Sequence, residues 1–151
     1  MSNYFHVLNT QECLGLINKL MSRPDTFTAD AMARHKIECA AMNAVMDIET
    51  SLGYKPRDVS AKNFGYDVKS QIPQEKCDAS EATLRFIEVK GRSAGADFVT
   101  VSKNEILAAL NKQDEYILAI VEVDGSNTKT MYLKKPFSEQ PDFAATSVNY
   151  N

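Results

Sequence analysis

An α/β (α+β) domain, built as a mixed β-sheet flanked by helices, is predicted for this 151-residue chain by three observations. An apolar stripe of helical period runs through residues 28–52. Two runs rich in β-favouring residues, 84–92 and 115–123, read as buried strands. Between and around them, helical and extended stretches follow in the order helix, strands, helix, strands, the layering of mixed folds. The length suits one domain with an extra N-terminal piece. The division is a helical prefix over residues 1–27 and the main domain over 28–151. A hydrophobic content of 44% argues against wholesale disorder.

In the prefix, Asn9 with Glu12 three residues on reads as a helix start, and Leu14, Ile17, Leu20 and Met21 form a short stripe before Pro24 breaks it. The long helix follows. Thr28 or Asp30 can cap it, Gly53 ends it, and Ile37, Ala41, Val45, Ile48 and Leu52 line its apolar face. Glu38 and Glu49 border that face. A solvated edge is the default for both, with a place in a site as the alternative for Glu38. His35, with no ligand-spaced neighbour, reads as a surface group. Pro56 marks residues 54–60 as an edge strand or loop. Residues 63–70 read as a strand, 71–82 as a hairpin loop around Pro73, and 97–101 as a short strand. Ser102 with Glu105 forms a capping box for a second helix carrying Ile106, Leu107, Ala109 and Leu110, and Glu105 can also orient Lys90 or bind a second ion. Asp124-Gly125-Ser126-Asn127 turns the strongly apolar strand 115–123 into a hairpin partner at 130–133. The tail from Phe137 shows no period.

Composition excludes several classes. Three cysteines, Cys13, Cys39 and Cys77, cannot all pair and none forms Cys-x-x-Cys, so reduced thiols in a cytoplasmic protein are expected. No secretory signal and no apolar run of the roughly 20 residues needed for a membrane span is present. The net charge of −3 carries no global nucleic-acid signature. Locally, Lys55, Arg57, Lys62 and Lys69 surround Asp67, as a solvated face or as a patch that tracks phosphates.

The chemistry concentrates at Glu88 and Lys90. Alternation puts both on one face of a strand, with Val89 on the other. Buried charges of this kind need a partner or a metal. Glu-x-Lys alone reads first as a structural ion pair at a strand end. Asp67, in the neighbouring strand, changes that: two carboxylates held close repel unless a cation sits between them. Mg²⁺ is bound this way, through one or two carboxylates and substrate phosphates. A lysine two residues on then faces the same site, to pair with phosphate or orient a water.

This Asp…Glu-x-Lys set resembles the PD-(D/E)XK nuclease superfamily, of restriction-endonuclease-like fold. The stretches Phe64-Gly65-Tyr66-Asp67-Val68-Lys69-Ser70, Phe86-Ile87-Glu88-Val89-Lys90-Gly91 and Ser102-Lys103-Asn104-Glu105 further resemble successive motifs of the NO VEIN C-terminal domain family, classed with that fold. The likeness is closer to the version at the C-terminus of bacterial SWI/SNF-type helicases. It runs from about Ala33 to Tyr150, with Ile106 where many members carry Trp. The resemblance implies a restriction-endonuclease-like sheet over residues 28–151. It implies Asp67 and Glu88 as metal carboxylates, the Val89 carbonyl as a third ligand, Lys90 as the catalytic lysine and Glu38 as a helix acid. Mg²⁺ or Mn²⁺ is the implied cofactor and DNA the implied partner, with Arg57, Lys69 and Arg92 as nucleic-acid contacts. Two classes of function follow: a metal-dependent nuclease domain that hydrolyses DNA phosphodiesters, working with a helicase or a DNA-defence or repair system, or a catalytically inactive DNA- or protein-binding module attached to a helicase motor.

Overall fold

The computed structural model describes residues 26–79, 81, 83–138 and 147–150. The expected prefix therefore lies almost wholly outside the described residues. The first described element is the long helix, α1 (Thr26–Ser51). Its end follows from Gly53, at φ +78, where a side chain would be strained. The Tyr54 amide donates to the Glu49 carbonyl and the Gly53 amide to Thr50, the paired bonds of a Schellman stop.

The extended stretch after α1 becomes β1 (Lys55–Asp58), an edge strand that tolerates Pro56. The strand expected over 63–70 is shorter: β2 is Val68–Gln71. Asn63 at φ +54 and Gly65 at φ +85 hold left-handed backbone that a strand cannot contain, so this part is a tight loop. β3 (Leu84–Ser93), β4 (Val99–Ser102), α2 (Lys103–Asn111), β5 (Tyr116–Asp124) and β6 (Asn127–Lys134) follow, with β7 (Ser147–Tyr150) last. β7 was not legible in the tail, because a four-residue strand that pairs only with β4 carries no period of its own.

Five strands form one sheet in the order β1-β2-β3-β5-β6, and β4 and β7 form a separate ladder. β3 and β5 are parallel and the other neighbours in the large sheet antiparallel. The crossover between the parallel pair carries β4 and α2. Both central strands are covered on both sides, which explains their near-continuous apolar sequence. One face of β5 presents Ile117, Ala119 and Val121, packed with Val68 and Ile87 against Ala41, Met42 and Val45 of α1. The other presents Tyr116, Leu118 and Ile120, packed with Phe86 against Ile106 and Ala109 of α2 and Val99 and Val101 of β4. Gly91 lets α1 lie close on the sheet: a Cβ there would stand 2.9 Å from the Ala41 Cβ and 3.0 Å from the Ile37 carbonyl oxygen.

Three expectations are corrected. His35 is buried, not on the surface, and burial lowers its pKa. Glu49 is fully buried, not on a solvated edge. Cys39 is disulfide-bonded and not a reduced thiol, whereas Cys77 is a free thiol. No helix among the described residues is long and apolar enough to cross a membrane.

Candidate functional site

The site is built on β3, the strand with β2 on one side and β5 on the other. Alternation puts Phe86, Glu88 and Lys90 on the face toward α2, as the sequence requires. Glu88 is only 4% exposed. A carboxylate so far from water needs a counter-charge, and the Lys90 Nζ stands 3.0 Å from its Oε1. The same ammonium lies 2.9 Å from Oε2 of Glu105. Glu105 arrives by local rules. Ser102 and Glu105 form the reciprocal capping box of α2, in which Glu105 Oε2 accepts the Ser102 amide at 2.7 Å and Ser102 Oγ accepts the Glu105 amide at 3.3 Å. The residue that starts the helix thereby also holds the lysine.

Asp67 comes from the point where the chain enters β2. Its amide donates to the Ile87 carbonyl at 2.9 Å, while Val68 is the residue aligned with Ile87. Two consecutive residues thus meet one partner, as in a β-bulge, a device that re-aims a side chain. Its carboxylate turns onto β3, where Oδ2 accepts the Val89 amide at 3.1 Å. Its carbonyl accepts the Val59 amide at 2.8 Å, so Asp67 is tied to both flanking segments.

The charges do not balance. Asp67, Glu88 and Glu105 bring three carboxylates to one ammonium. Burial raises the Asp67 pKa to about 6, with the Val89 amide and Lys90 pulling it back. Glu88 is raised well above its ordinary value, by burial first and then by the charge of Asp67, against the pull of Lys90. Burial alone would lower the Lys90 pKa, but Glu88 and Glu105 outweigh it and raise it, so the lysine stays charged. The site therefore holds more carboxylates than cations, a demand for positive charge that a proton or a bound cation can meet.

The structure gathers Asp67, Glu88, Val89 and Lys90. Glu38 lies on α1, which packs on the opposite face of the sheet. It is half-buried, 3.7 Å from His35, and its pKa is raised by burial, partly offset by Arg34 and Lys90. Glu38 thus senses the Lys90 charge across the layer. Arg57 and Lys69 are exposed and directly opposed across the β1–β2 ladder. Lys69 is aligned with Phe86, which puts the basic pair on the Glu88 face, one strand repeat, about 7 Å, along the sheet. Arg92 is turned into an ion pair of 2.8 Å with Glu122, on the wall of a cavity of about 530 Å³ floored by Leu118 and Ile120.

A second polar cluster escaped the sequence. Glu49 Oε1 accepts both Arg85 Nη2 and the Tyr132 hydroxyl, each at 3.0 Å. The Arg85 guanidinium lies over the Tyr54 and Tyr132 rings, 5.2 and 5.5 Å from their centroids. Its partners stand 36 and 83 residues from Glu49, beyond any local pattern.

Among the described residues, no three His, Cys, Asp or Glu side chains are grouped so as to hold a metal together. The donors available for a cation are thus the two carboxylates and backbone oxygen. Two hard carboxylates and a demand for positive charge suit a divalent cation that keeps several of its waters. Compared with known proteins, residues 37–133 match the family described as Protein NO VEIN, C-terminal. No curated protein and no solved structure matches the chain.

Proposed function

Because the chain belongs to the NO VEIN C-terminal family, and because its Asp67, Glu88 and Lys90 converge on one side of a central strand, we propose that the domain is a metal-dependent nuclease acting on DNA phosphodiesters, in association with a helicase motor. The observation that carries this reading is the make-up of the site: the buried carboxylates of Glu88 and Glu105 both pair with the single Lys90 ammonium, and Asp67 is turned onto the same strand through the Val89 amide. Asp67, Glu88 and the Val89 carbonyl are the residues that would hold Mg²⁺ or Mn²⁺. When bound, such an ion supplies Lewis-acid activation of water and neutralises charge on the phosphoryl oxygens.

The chain's own groups do the rest. Lys90, held charged by Glu88 and Glu105, presents its ammonium to a phosphate oxygen or an attacking water. Arg57 and Lys69 favour the approach of a polyanion. Like charges directly opposed across a ladder are destabilising, so an anion between them gains from relieving that repulsion.

A second reading, a non-catalytic module on a helicase motor, is favoured by one observation: Lys90 is already engaged by two carboxylates, and so acts as a built-in cation. The two are separated by incubating the protein with single- and double-stranded DNA in Mg²⁺ or Mn²⁺, beside Lys90→Ala and Glu88→Gln. Cleavage by the wild type alone is expected. Equal traces of cleavage in all three would assign the activity to a contaminant and leave the binding module.

A further inference from the structure

The loop that leads into Asp67 exposes an aromatic ring that neither the core nor the carboxylate site uses. Phe64 is 52% exposed, yet its backbone is pinned. The Asn104 side chain donates to the Asn63 carbonyl at 3.2 Å, and the Tyr116 hydroxyl donates to the Gly65 carbonyl at 2.8 Å. Gly65 also packs so tightly on α2 that a Cβ would come within 2.7 Å of the Asn104 carbonyl oxygen and of the Ala108 side chain. An apolar ring held outward on a fixed loop is different from a ring left outside by a slack one.

Phe64 begins a track of three rings. Its centroid is 5.6 Å from that of Tyr66, and Tyr66 is 4.8 Å from Phe86. Cations attend the track. The Lys112 ammonium lies over the Phe86 ring at 4.6 Å, Lys69 is the cross-strand neighbour of Phe86 and Arg57 that of Lys69. Lys62, two residues before Phe64, is exposed. Only Gly65 and Tyr66 separate the ring from Asp67 along the loop.

We propose that Phe64 is a stacking platform for an unpaired base of a single-stranded or frayed nucleic acid, placed so that the adjoining phosphate reaches the Asp67–Glu88–Lys90 site. The occupant is a nucleobase and not an apolar peptide because the surroundings are cationic: a strand brings a flat π-face for the ring and phosphates for Arg57, Lys62 and Lys69 together. Stacking of this kind is tolerant of sequence, since every base has a π-face. A base inside a duplex has its faces covered, so the platform selects unpaired strands. This deepens the nuclease reading and rests on it.

The test uses the full chain in chelator, which prevents cleavage, with a labelled oligothymidine and a duplex of equal length. Phe64→Ala should weaken single-strand binding by about 5- to 100-fold, the weight of one stacked base, with duplex affinity unchanged. The chain contains no Trp, so Phe64→Trp gives a single reporter whose emission should be quenched by the oligonucleotide while affinity is retained. Arg57→Ala with Lys69→Ala should weaken both ligands alike. If both bind and Phe64→Ala leaves single-strand affinity intact, or Phe64→Trp is not quenched, the platform is overturned and the nuclease reading stands. If the wild type binds neither ligand at about 50 mM salt, both fall, and a protein partner becomes the occupant of this face.

Discussion

Lys90 and Glu105 are joined by a 2.9 Å ion pair through the same carboxylate oxygen that accepts the Ser102 amide at the start of α2. Removing the charge and removing the cap are therefore separable. Glu105→Gln keeps an oxygen for the Ser102 amide and loses the ion pair, while Lys90 retains Glu88 and the crowd of carboxylates thins. Glu105→Ala loses the cap as well. The alanine variant should be less stable than the glutamine variant by about 1 kcal/mol, the worth of an N-terminal cap. Urea denaturation of both at pH 7 measures it, and equal stabilities would show that the capping contact contributes nothing.

The Asp67 carboxyl, raised from 3.8 to about 6, fixes the sign of a pH effect. A group with a higher pKa in the folded than in the unfolded chain stabilises the fold fully below the unfolded value. That contribution is lost as pH rises through the folded value. Glu88 and Glu38 are shifted in the same direction. In chelator the protein should therefore lose stability between about pH 4 and pH 7. Asp67→Asn keeps an oxygen for the Val89 amide and removes the titration. It should match wild type near pH 4 and exceed it at pH 8 by on the order of 2–3 kcal/mol. Denaturation midpoints that stay parallel across this range would contradict the shift.

On the other face of the sheet, Glu49 is the buried partner of Arg85 and Tyr132. Leaving the arginine without its carboxylate should be severe: Glu49→Ala is expected to cost about 3–5 kcal/mol. Tyr132→Phe removes one hydrogen bond and keeps the ion pair, at about 1–2 kcal/mol. Neither cluster residue touches the Glu88 site, so Tyr132→Phe should leave nucleic-acid binding unchanged. Loss of binding in that variant at a temperature where it is fully folded would show that the two faces are coupled.

What the sequence made legible was local. The alternation across Glu88, Val89 and Lys90 assigned faces correctly because a strand's side chains have a fixed period of two. The Ser102–Glu105 box and the Gly53 stop were readable because capping is written within four or five residues. The residue pattern puts Asp67 inside a strand, whereas it stands just before one. Its geometry is set by the left-handed Asn63 and Gly65 and by contacts to Asn104 and Tyr116. The sequence reads Glu105 as a cap that can also orient Lys90, and the 2.9 Å contact between them depends on how the crossover packs α2 on the sheet. Glu49 reads as an edge residue because it borders the apolar stripe, and only the fold supplies Arg85 and Tyr132 as its partners.

Metal linkage separates a working site from a relic. In the metal-free protein, Asp67 raises the Glu88 pKa, which is repulsion expressed as proton affinity, so the assembled site lowers stability until a cation enters. The unfolded chain does not hold the two carboxylates together, so a divalent ion that uses both binds the folded state alone. At ten times its dissociation constant such an ion adds about 1.4 kcal/mol by mass action. For a domain near this size that is roughly a 3–6 °C rise in melting temperature. Asp67→Asn should melt at least as high as wild type in chelator at pH 7.5, yet gain almost nothing from Mg²⁺ or Mn²⁺. Glu105→Gln, which removes no proposed ligand, should keep the rise. The measurement is a melting series of the three proteins with chelator and with each metal. Equal metal shifts in wild type and Asp67→Asn would place the ion elsewhere on the protein, and the Asp67–Glu88 pair would then be a charge cluster that only Lys90 neutralises.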